Sequence, residues 1–213
     1  MKKRWPAALG QNVFINCPFD DEYLPMLRAA SFAIVFCGFR PRCALEVVDA
    51  GELRMTKILR LIQDCRLGMH DISRTALDET NQLPRFNMPL ELGIFIGASH
   101  FGSGLQRKKK TLVVDVERFR YQKFISDIAG QDIKAHHNDP ARFVAVIRDW
   151  LQCSMPPDKR LPGGRAIFRS YRSFQSQVPA LLNQIELHES EVSFPDWLHL
   201  VQEWLRDTQI RSS

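Results

Sequence analysis

The chain has 213 residues, of which 45% are hydrophobic and 25% charged, with a formal net charge of +5. This composition is typical of a globular protein with a substantial core. It excludes a membrane-spanning helix, because no apolar run reaches the roughly 18 residues that crossing a bilayer requires.

Two further features narrow the class of protein. The basic N-terminus is not followed by a continuous apolar segment with a cleavage site, so it does not match a secretory signal. The five cysteines show neither CxxC nor zinc-ligand spacing, which argues against a disulfide framework or a structural metal. We therefore expect a cytoplasmic protein that holds no metal.

Strand-like and helix-like segments alternate along the first three quarters of the chain. The predicted strands are 13–16, 39–45, 67–72, 111–116 and 133–136, and the predicted helices are 22–36, 52–65, a segment from residue 87, 122–129 and 140–153. Such alternation favours a parallel sheet with helices on both faces. We predict an α/β, flavodoxin-like fold with five strands in the order 2-1-3-4-5.

The sequence changes character after residue 154. Residues 155–165 have the proline and glycine content of a linker, and two helices are predicted at 166–188 and 195–207, with Pro179 as a candidate break. About fifty residues are too few to build a core alone. We therefore predict an α/β domain at 1–154, a linker at 155–165 and a helical extension at 166–213 that docks on the domain or on a partner.

The densest basic run, Arg107 to Lys110, precedes the fourth predicted strand. No RNA-binding or helix-turn-helix signature accompanies it, so the run is typical of a solvated loop. A nucleic-acid partner is therefore not expected.

Polar side chains, together with the aromatic side chain of Phe19, follow the first three predicted strands. In open α/β sheets, ligands bind outside the carboxyl ends of the strands, near the point where strand order reverses. The residues in question are Asn16, Phe19, Asp20 and Asp21 after the first strand, Glu46 and Asp49 after the second, and Asp71, Ser73 and Arg74 after the third.

The helix that begins near Asn87 carries a carboxylate among apolar residues. Asn87 is a good N-cap residue, and the segment around Glu91 is otherwise almost entirely apolar. Gly93 and Gly97, four residues apart, indicate that a strand or a ligand comes close to the backbone there. A buried carboxylate without a partner is costly, so Glu91 needs an explanation.

Two interpretations of Glu91 remain open at this point. The carboxylate could cap the helix or form an ion pair with Arg85 or Arg74 near the positive helix end. Alternatively, it is a catalytic group at the mouth of a pocket, an interpretation that its convergence with the polar strand ends favours.

One segment resembles a known family. It is similar to the R-x-N-x-x-x-E-L-G-x-F-I-G segment of bacterial TIR-like domains, the nucleotide-binding type found in antiphage defence proteins. The matching residues are Arg85-Phe86-Asn87-Met88-Pro89-Leu90-Glu91-Leu92-Gly93-Ile94-Phe95-Ile96-Gly97. The resemblance covers roughly residues 10–150. Nucleoside deoxyribosyltransferases share the architecture and also carry a glutamate in a Glu-Leu-Gly segment.

The resemblance implies cleavage of the nicotinamide–ribose bond of NAD, with Glu91 and Asp71 as the catalytic carboxylates. NAD would then be a substrate, with no separate cofactor, and activity would involve self-association or a separate sensor protein. The residues implied in nucleotide binding are Asn16, Phe19, Arg42, Ser73, Arg74, Phe86 and Asn87. The alternatives are a deoxyribosyltransferase-like N-glycosidase and a non-catalytic nucleotide-binding or interaction module.

Overall fold

The structure, a computed structural model, describes residues 11–46, 49, 51–75 and 85–211. One sheet contains five strands: β1 Asn12–Asn16, β2 Arg40–Arg42, β3 Leu67–Asp71, β4 Lys110–Asp115 and β5 Lys134–Ala135. Their order is β2-β1-β3-β4-β5, and every neighbouring pair is parallel. The predicted fold class and strand order are confirmed.

In the part of the chain that the structure describes, six α-helices accompany the sheet: α1 Leu24–Phe36, α2 Arg54–Asp64, α3 Asn87–Phe101, α4 Pro140–Gln152, α5 Gly164–Gln184 and α6 Phe194–Arg211. The helix predicted at 122–129 is wrong. Two 3-10 turns occupy this part of the chain, Arg120–Lys123 and Ser126–Ile128. Phe124 and Ile125 separate them with φ near −140°, outside the helical region,.

The boundaries of two helices illustrate what a local pattern can determine. Asp139 caps α4 by accepting a hydrogen bond from the Ala141 N–H at 2.8 Å, as the Asp-Pro pair predicts,. The prediction of Asn87 as the N-cap of α3 is wrong, because Asn87 is already helical and Phe86 occupies the cap without a side-chain hydrogen bond. The fold therefore shifts this helix start by one residue.

The helices cover the two faces of the sheet unequally. Val13 and Ile15 of β1 belong to a large core that also contains side chains from α1, α4, α5 and α6. Phe14 points the other way, into a smaller cluster with residues of α2 and α3. This alternation is the period of a strand covered on both sides.

The C-terminal helices pack directly on α1. Trp204 of α6 lies 6.1 Å from Phe32 between ring centroids, and the Trp197 indole N–H donates to the Ser31 hydroxyl at 3.0 Å. Pro179 lies inside α5 without ending it. The apolar side chains of α6, among them Trp197, Val201 and Trp204, thus join the core of the α/β domain. None of the described helices has the length and apolarity needed to cross a membrane.

A close approach to the backbone occurs at Gly68, in the middle of β3. A Cβ there would lie 2.6 Å from a ring carbon of Phe95, whereas one at Gly93 would meet nothing within 4 Å. Within the described residues, no strand therefore approaches Gly93, and the alternative, that a ligand does so at Gly93 or Gly97, stays a prediction. Gly68 instead allows α3 to press the Phe95 ring onto the sheet.

Candidate functional site

The site lies at the carboxyl ends of β1 and β3, where the strand order reverses. Asn16, the last residue of β1, donates its Nδ2 to the Met88 carbonyl at 2.8 Å and lies 3.0 Å from His70 Nδ1. Both amide hydrogens of the buried Asn16 thus have partners within the protein. These two contacts of Asn16 fix the first turn of α3 against the sheet. Glu91 is thereby placed where the strand order reverses, the topological switch point of the sheet.

Glu91 is almost buried, with 8% of its surface exposed. Burial raises the pKa of its carboxyl group to about 7, although the positive charge of Arg54 opposes the shift. Among the residues that the structure describes, no hydrogen bond or ion pair holds this carboxylate, so the predicted pairing with Arg85 or Arg74 is not seen. Near neutral pH, both protonation states of Glu91 are populated.

Asp71 ends β3 and has a different environment. Its side chain is fully buried. One oxygen accepts the Ser73 N–H at 2.8 Å, and the other accepts the Tyr23 hydroxyl and contacts His136 Nε2 at 3.0 Å. Burial alone would raise the pKa of this carboxyl group, but hydrogen bonds from His136, Ser73 and Tyr23 bring it below its usual value. These contacts favour a positioning role for Asp71 over direct chemistry.

The backbone after β5 fixes the tautomer of His136. His136 Nδ1 accepts a hydrogen bond from the Asn138 N–H at 3.0 Å, which leaves the proton on Nε2, facing Asp71,. His137 and Asn138 both have left-handed conformations here, with φ of 55° and 54°. Such conformations are uncommon outside glycine and cluster at functional sites.

Arg120 anchors the beginning of the loop after β3. Its guanidinium group pairs with the buried Asp115 and donates to the carbonyls of Ile72 and Ser73 at 3.1 and 2.7 Å. It also donates to the Thr75 hydroxyl at 2.8 Å. The loop that leaves Asp71 is therefore fixed to the end of β4.

Ser73 and Arg74 line a cavity of about 350 Å³ at this edge of the sheet. Arg74 Nη2 contacts Asp20 at 3.1 Å and Glu22 at 2.6 Å. The Arg74 side chain is 39% exposed, so an incoming anion can reach it. Glu91 does not line this cavity, which opens on the side of α1 and α4.

The structure brings most, but not all, of the predicted ligand residues to this edge. Phe86 and Asn87 are exposed at the start of α3, and Phe19 is half-buried between the two core clusters. Arg42 is the exception. It is the last residue of β2, opposite Phe14 of β1, and is bound to Glu46, and it lines a different cavity.

Sequence reasoning missed three residues that organise the site, namely Tyr23, His136 and Arg120. His136 had a usable signal, because it directly follows the fifth strand and so had to lie at the same sheet edge. The other two had none, since a loop tyrosine and a loop arginine are common on any surface.

The chemistry and the comparisons together define only a broad class. Among the described residues, no group of histidine, cysteine, aspartate and glutamate side chains is arranged to hold a metal ion. The sequence matches no protein-family model, and the searches of curated proteins and of solved structures gave no match. The molecule is therefore defined as a flavodoxin-like α/β protein with a buried carboxylate at its topological switch point.

Proposed function

We propose that the protein hydrolyses the N-glycosidic bond between nicotinamide and ribose in NAD, with Glu91 as the catalytic carboxylate. The observation that supports this proposal most strongly is the position of Glu91. It is nearly buried at the switch point, has a pKa of about 7 and lacks a partner among the described residues. A buried carboxyl group whose pKa is strongly shifted in this way marks a candidate functional site.

The reaction needs a negative charge close to the sugar. The bond between C1′ of the ribose and the ring nitrogen of nicotinamide breaks, and its electron pair neutralises the pyridinium ring. The resulting oxocarbenium-like sugar is stabilised or attacked by a carboxylate. Water then adds at C1′ and loses a proton, which gives ADP-ribose. An apolar setting strengthens the electrostatic effect of Glu91 on this transition state.

The leaving group determines which protonation state of Glu91 is active. Nicotinamide leaves NAD as a neutral molecule, so it needs no proton from the enzyme. Glu91 therefore acts in its ionised form, and the rate of hydrolysis should rise with pH through about 7 and then level off,.

The surrounding residues have separate roles in this proposal. Asn16 holds the first turn of α3, and Asp71 with His136 and Tyr23 fixes the strand end beside the site. Arg74 exchanges Asp20 and Glu22 for a phosphate of NAD, while the exposed Phe86 stacks on a ring of the nucleotide. By the resemblance of residues 85–97, the setting is antiphage defence, with self-association or a separate sensor protein controlling activity.

The test is release of nicotinamide from NAD by concentrated purified protein. We expect turnover by the wild type, loss of at least about a hundredfold in Glu91→Gln, and full activity in the matched surface variant Glu117→Gln. If Glu91→Gln releases nicotinamide at the wild-type rate, Glu91 is not the catalytic group. No release by the wild type, at high concentration or with proteins of neighbouring genes, would contradict the glycohydrolase proposal itself.

A second candidate is an N-glycosidase that acts on deoxynucleosides, and the pKa of Glu91 is the observation that favours it. A carboxyl group that is half protonated near pH 7 can donate a proton to a neutral leaving base,. Deoxynucleoside cleavage would then decline above pH 7, whereas NAD cleavage would not. Product analysis with both substrates across this pH range separates the two.

A further inference from the structure

A second cavity lies at the β2 edge of the sheet, away from Glu91. It has a volume of about 410 Å³ and is enclosed by β2, the side chain of Arg60 on α2 and the first turns of α6. Arg40 pairs in register with Asn12, the first residue of β1. The cavity therefore begins at the opposite end of the strands from the site of Glu91.

Three arginines line this cavity, namely Arg40, Arg42 and Arg60. Arg40 and Arg42 are two residues apart in a strand, so their side chains leave the backbone on the same side. The remaining lining residues are Pro41, Glu46, Pro195, Leu198, His199 and Gln202, and Glu46 is the one carboxylate among the described residues of the lining. Glu46 is already engaged, because it accepts hydrogen bonds from Arg42 at 2.5 to 2.8 Å.

Arg40 differs from the other two arginines. Arg42 is held by Glu46, and Arg60 forms a two-oxygen pair with Glu52. No hydrogen bond or ion pair holds Arg40 within the described ranges, although its side chain is partly buried. Burial and the positive charge of Arg42 lower the pKa of Arg40, and the carboxylate of Glu46, which is bound to Arg42, opposes this shift only in part. A partly buried cation beside a second cation is unfavourable unless an anion joins it.

The shape of the edge indicates what kind of anion fits. Pro41, between the two arginines, has no backbone N–H to donate to an added strand, so the edge is unsuited to strand pairing. The concave volume falls in the range of small-ligand sites. Planar guanidinium groups match the oxygens of phosphate with paired hydrogen bonds.

We propose that this cavity is a second ligand site that binds the phosphate groups of a small phosphorylated molecule through Arg40, with Arg42 and Arg60 beside it. A ligand here contacts both the sheet edge and α6, so it joins the C-terminal helices to the α/β domain. The site requires no part of the proposed hydrolase chemistry.

Calorimetric titration with inorganic pyrophosphate at low ionic strength tests this proposal. We expect binding by the wild type and an affinity that is about tenfold or more weaker in Arg40→Gln. Arg40→Lys should lose an intermediate amount of affinity, because it keeps the charge but lacks the planar guanidinium group. Arg206→Gln on α6 removes the same charge outside the cavity and should bind like the wild type. A parallel titration with ADP distinguishes the source of the phosphate, because tighter binding of ADP indicates a nucleotide and equal binding indicates the phosphate groups alone.

Three outcomes would overturn the proposal. The first is no binding by the wild type at millimolar pyrophosphate, and the second is equal binding by Arg40→Gln. The third is binding that Arg74→Gln abolishes and Arg40→Gln retains, because that assigns the anion to the other sheet edge. Without ligand, Arg40→Gln should melt no lower than the wild type, since the cation it removes has no described partner. This check separates loss of the site from loss of the fold.

Discussion

Glu91 and Asp71 lie at the same edge of the sheet and are both buried, but their environments differ in the hydrogen bonds they supply. Asp71 accepts hydrogen bonds from Tyr23 and Ser73 and lies 3.0 Å from His136 Nε2, and its pKa lies below the usual value. Glu91 has no such donors among the described residues, and its pKa rises to about 7. Burial favours the neutral acid, and hydrogen bonds or a nearby positive charge reverse that preference. Two carboxylates whose pKa values are driven apart are suited to different roles.

The unequal faces of the sheet account for this difference. Tyr23 and His136 immediately precede α1 and α4, whose face carries the large core, so their side chains are rigidly placed beside Asp71. Glu91 belongs to α3 on the thinner face, where large apolar side chains such as Met55, Leu59 and Leu90 are about half exposed. The face with the large core supports a fixed hydrogen-bond network beside Asp71, whereas the other face provides no such donors to Glu91 among the described residues.

The largest effect on stability should come from Asp71→Ala. The substitution leaves the Tyr23 hydroxyl buried without its acceptor and removes the carboxylate that lies 3.0 Å from His136 Nε2, which should cost about 3–5 kcal/mol of unfolding free energy,. Urea unfolding at pH 7 measures this loss. Asp132→Ala, which removes an exposed carboxylate paired with Lys134, should cost less than about 1 kcal/mol. If both variants lose the same amount, the network around Asp71 is not structural.

Glu91→Gln should instead raise the free energy of unfolding above neutral pH. Because the folded pKa of Glu91 is raised to about 7, the folded protein holds its proton while the unfolded chain releases it near pH 4.5. Wild-type stability therefore falls as pH rises between these values, by up to about 3 kcal/mol. Glu91→Gln abolishes this loss, so it should be more stable than the wild type at pH 8 and nearly equal at pH 4.

Thermal unfolding of both proteins across this range checks the pH dependence of Glu91, with Glu117→Gln as the exposed control. A stabilised variant that has lost activity is the pattern expected of a catalytic carboxylate. A variant that is less stable than the wild type at pH 8 would show that Glu91 has a structural partner.

Tyr23→Phe isolates one hydrogen bond of the Asp71 network. It removes the hydroxyl donor to a buried carboxylate and keeps the ring, so the loss should be roughly 2 kcal/mol, smaller than that of Asp71→Ala,. In the double variant Tyr23→Phe/Asp71→Ala, the two losses should not add, because both remove the same bond. Additive losses in chemical unfolding would mean that the two residues act independently.

The fold was largely predictable from the sequence because its signals are local. The alternation of strand-like and helix-like segments predicted the parallel sheet and its strand order, and the Asp139-Pro140 pair predicted the start of α4. The polar residues after strands one and three had to meet at one edge once the sheet was parallel. Glu91 was recognisable from the sequence because burying a carboxylate in an apolar helix has a high free-energy cost, whatever the helix packs against.

What the sequence could not provide depends on contacts between distant residues. Arg42 lies in the second strand, and Glu46, four residues later, already binds its guanidinium group. Tyr23 and His136 lie 48 and 65 residues from Asp71, and only tertiary packing brings them to it. The helix predicted at 122–129 was wrong because Phe124 and Ile125 leave the helical region and divide this segment into two 3-10 turns.

Arg74→Gln should have the smallest effect on stability. It is also the most direct test of whether NAD binds at the carboxyl ends of the strands. Its ion pairs with Asp20 and Glu22 are partly exposed, so their loss should change the unfolding free energy by less than about 1 kcal/mol. If Arg74 holds a phosphate of NAD, the KM for NAD should rise about tenfold with little change in kcat, because the contact is made equally in ground and transition states. Arg206→Gln, which breaks an ion pair of similar exposure on α6, should leave both constants unchanged. A fall in kcat at constant KM would instead place Arg74 in the chemistry, and no change in either constant would leave it a surface ion pair.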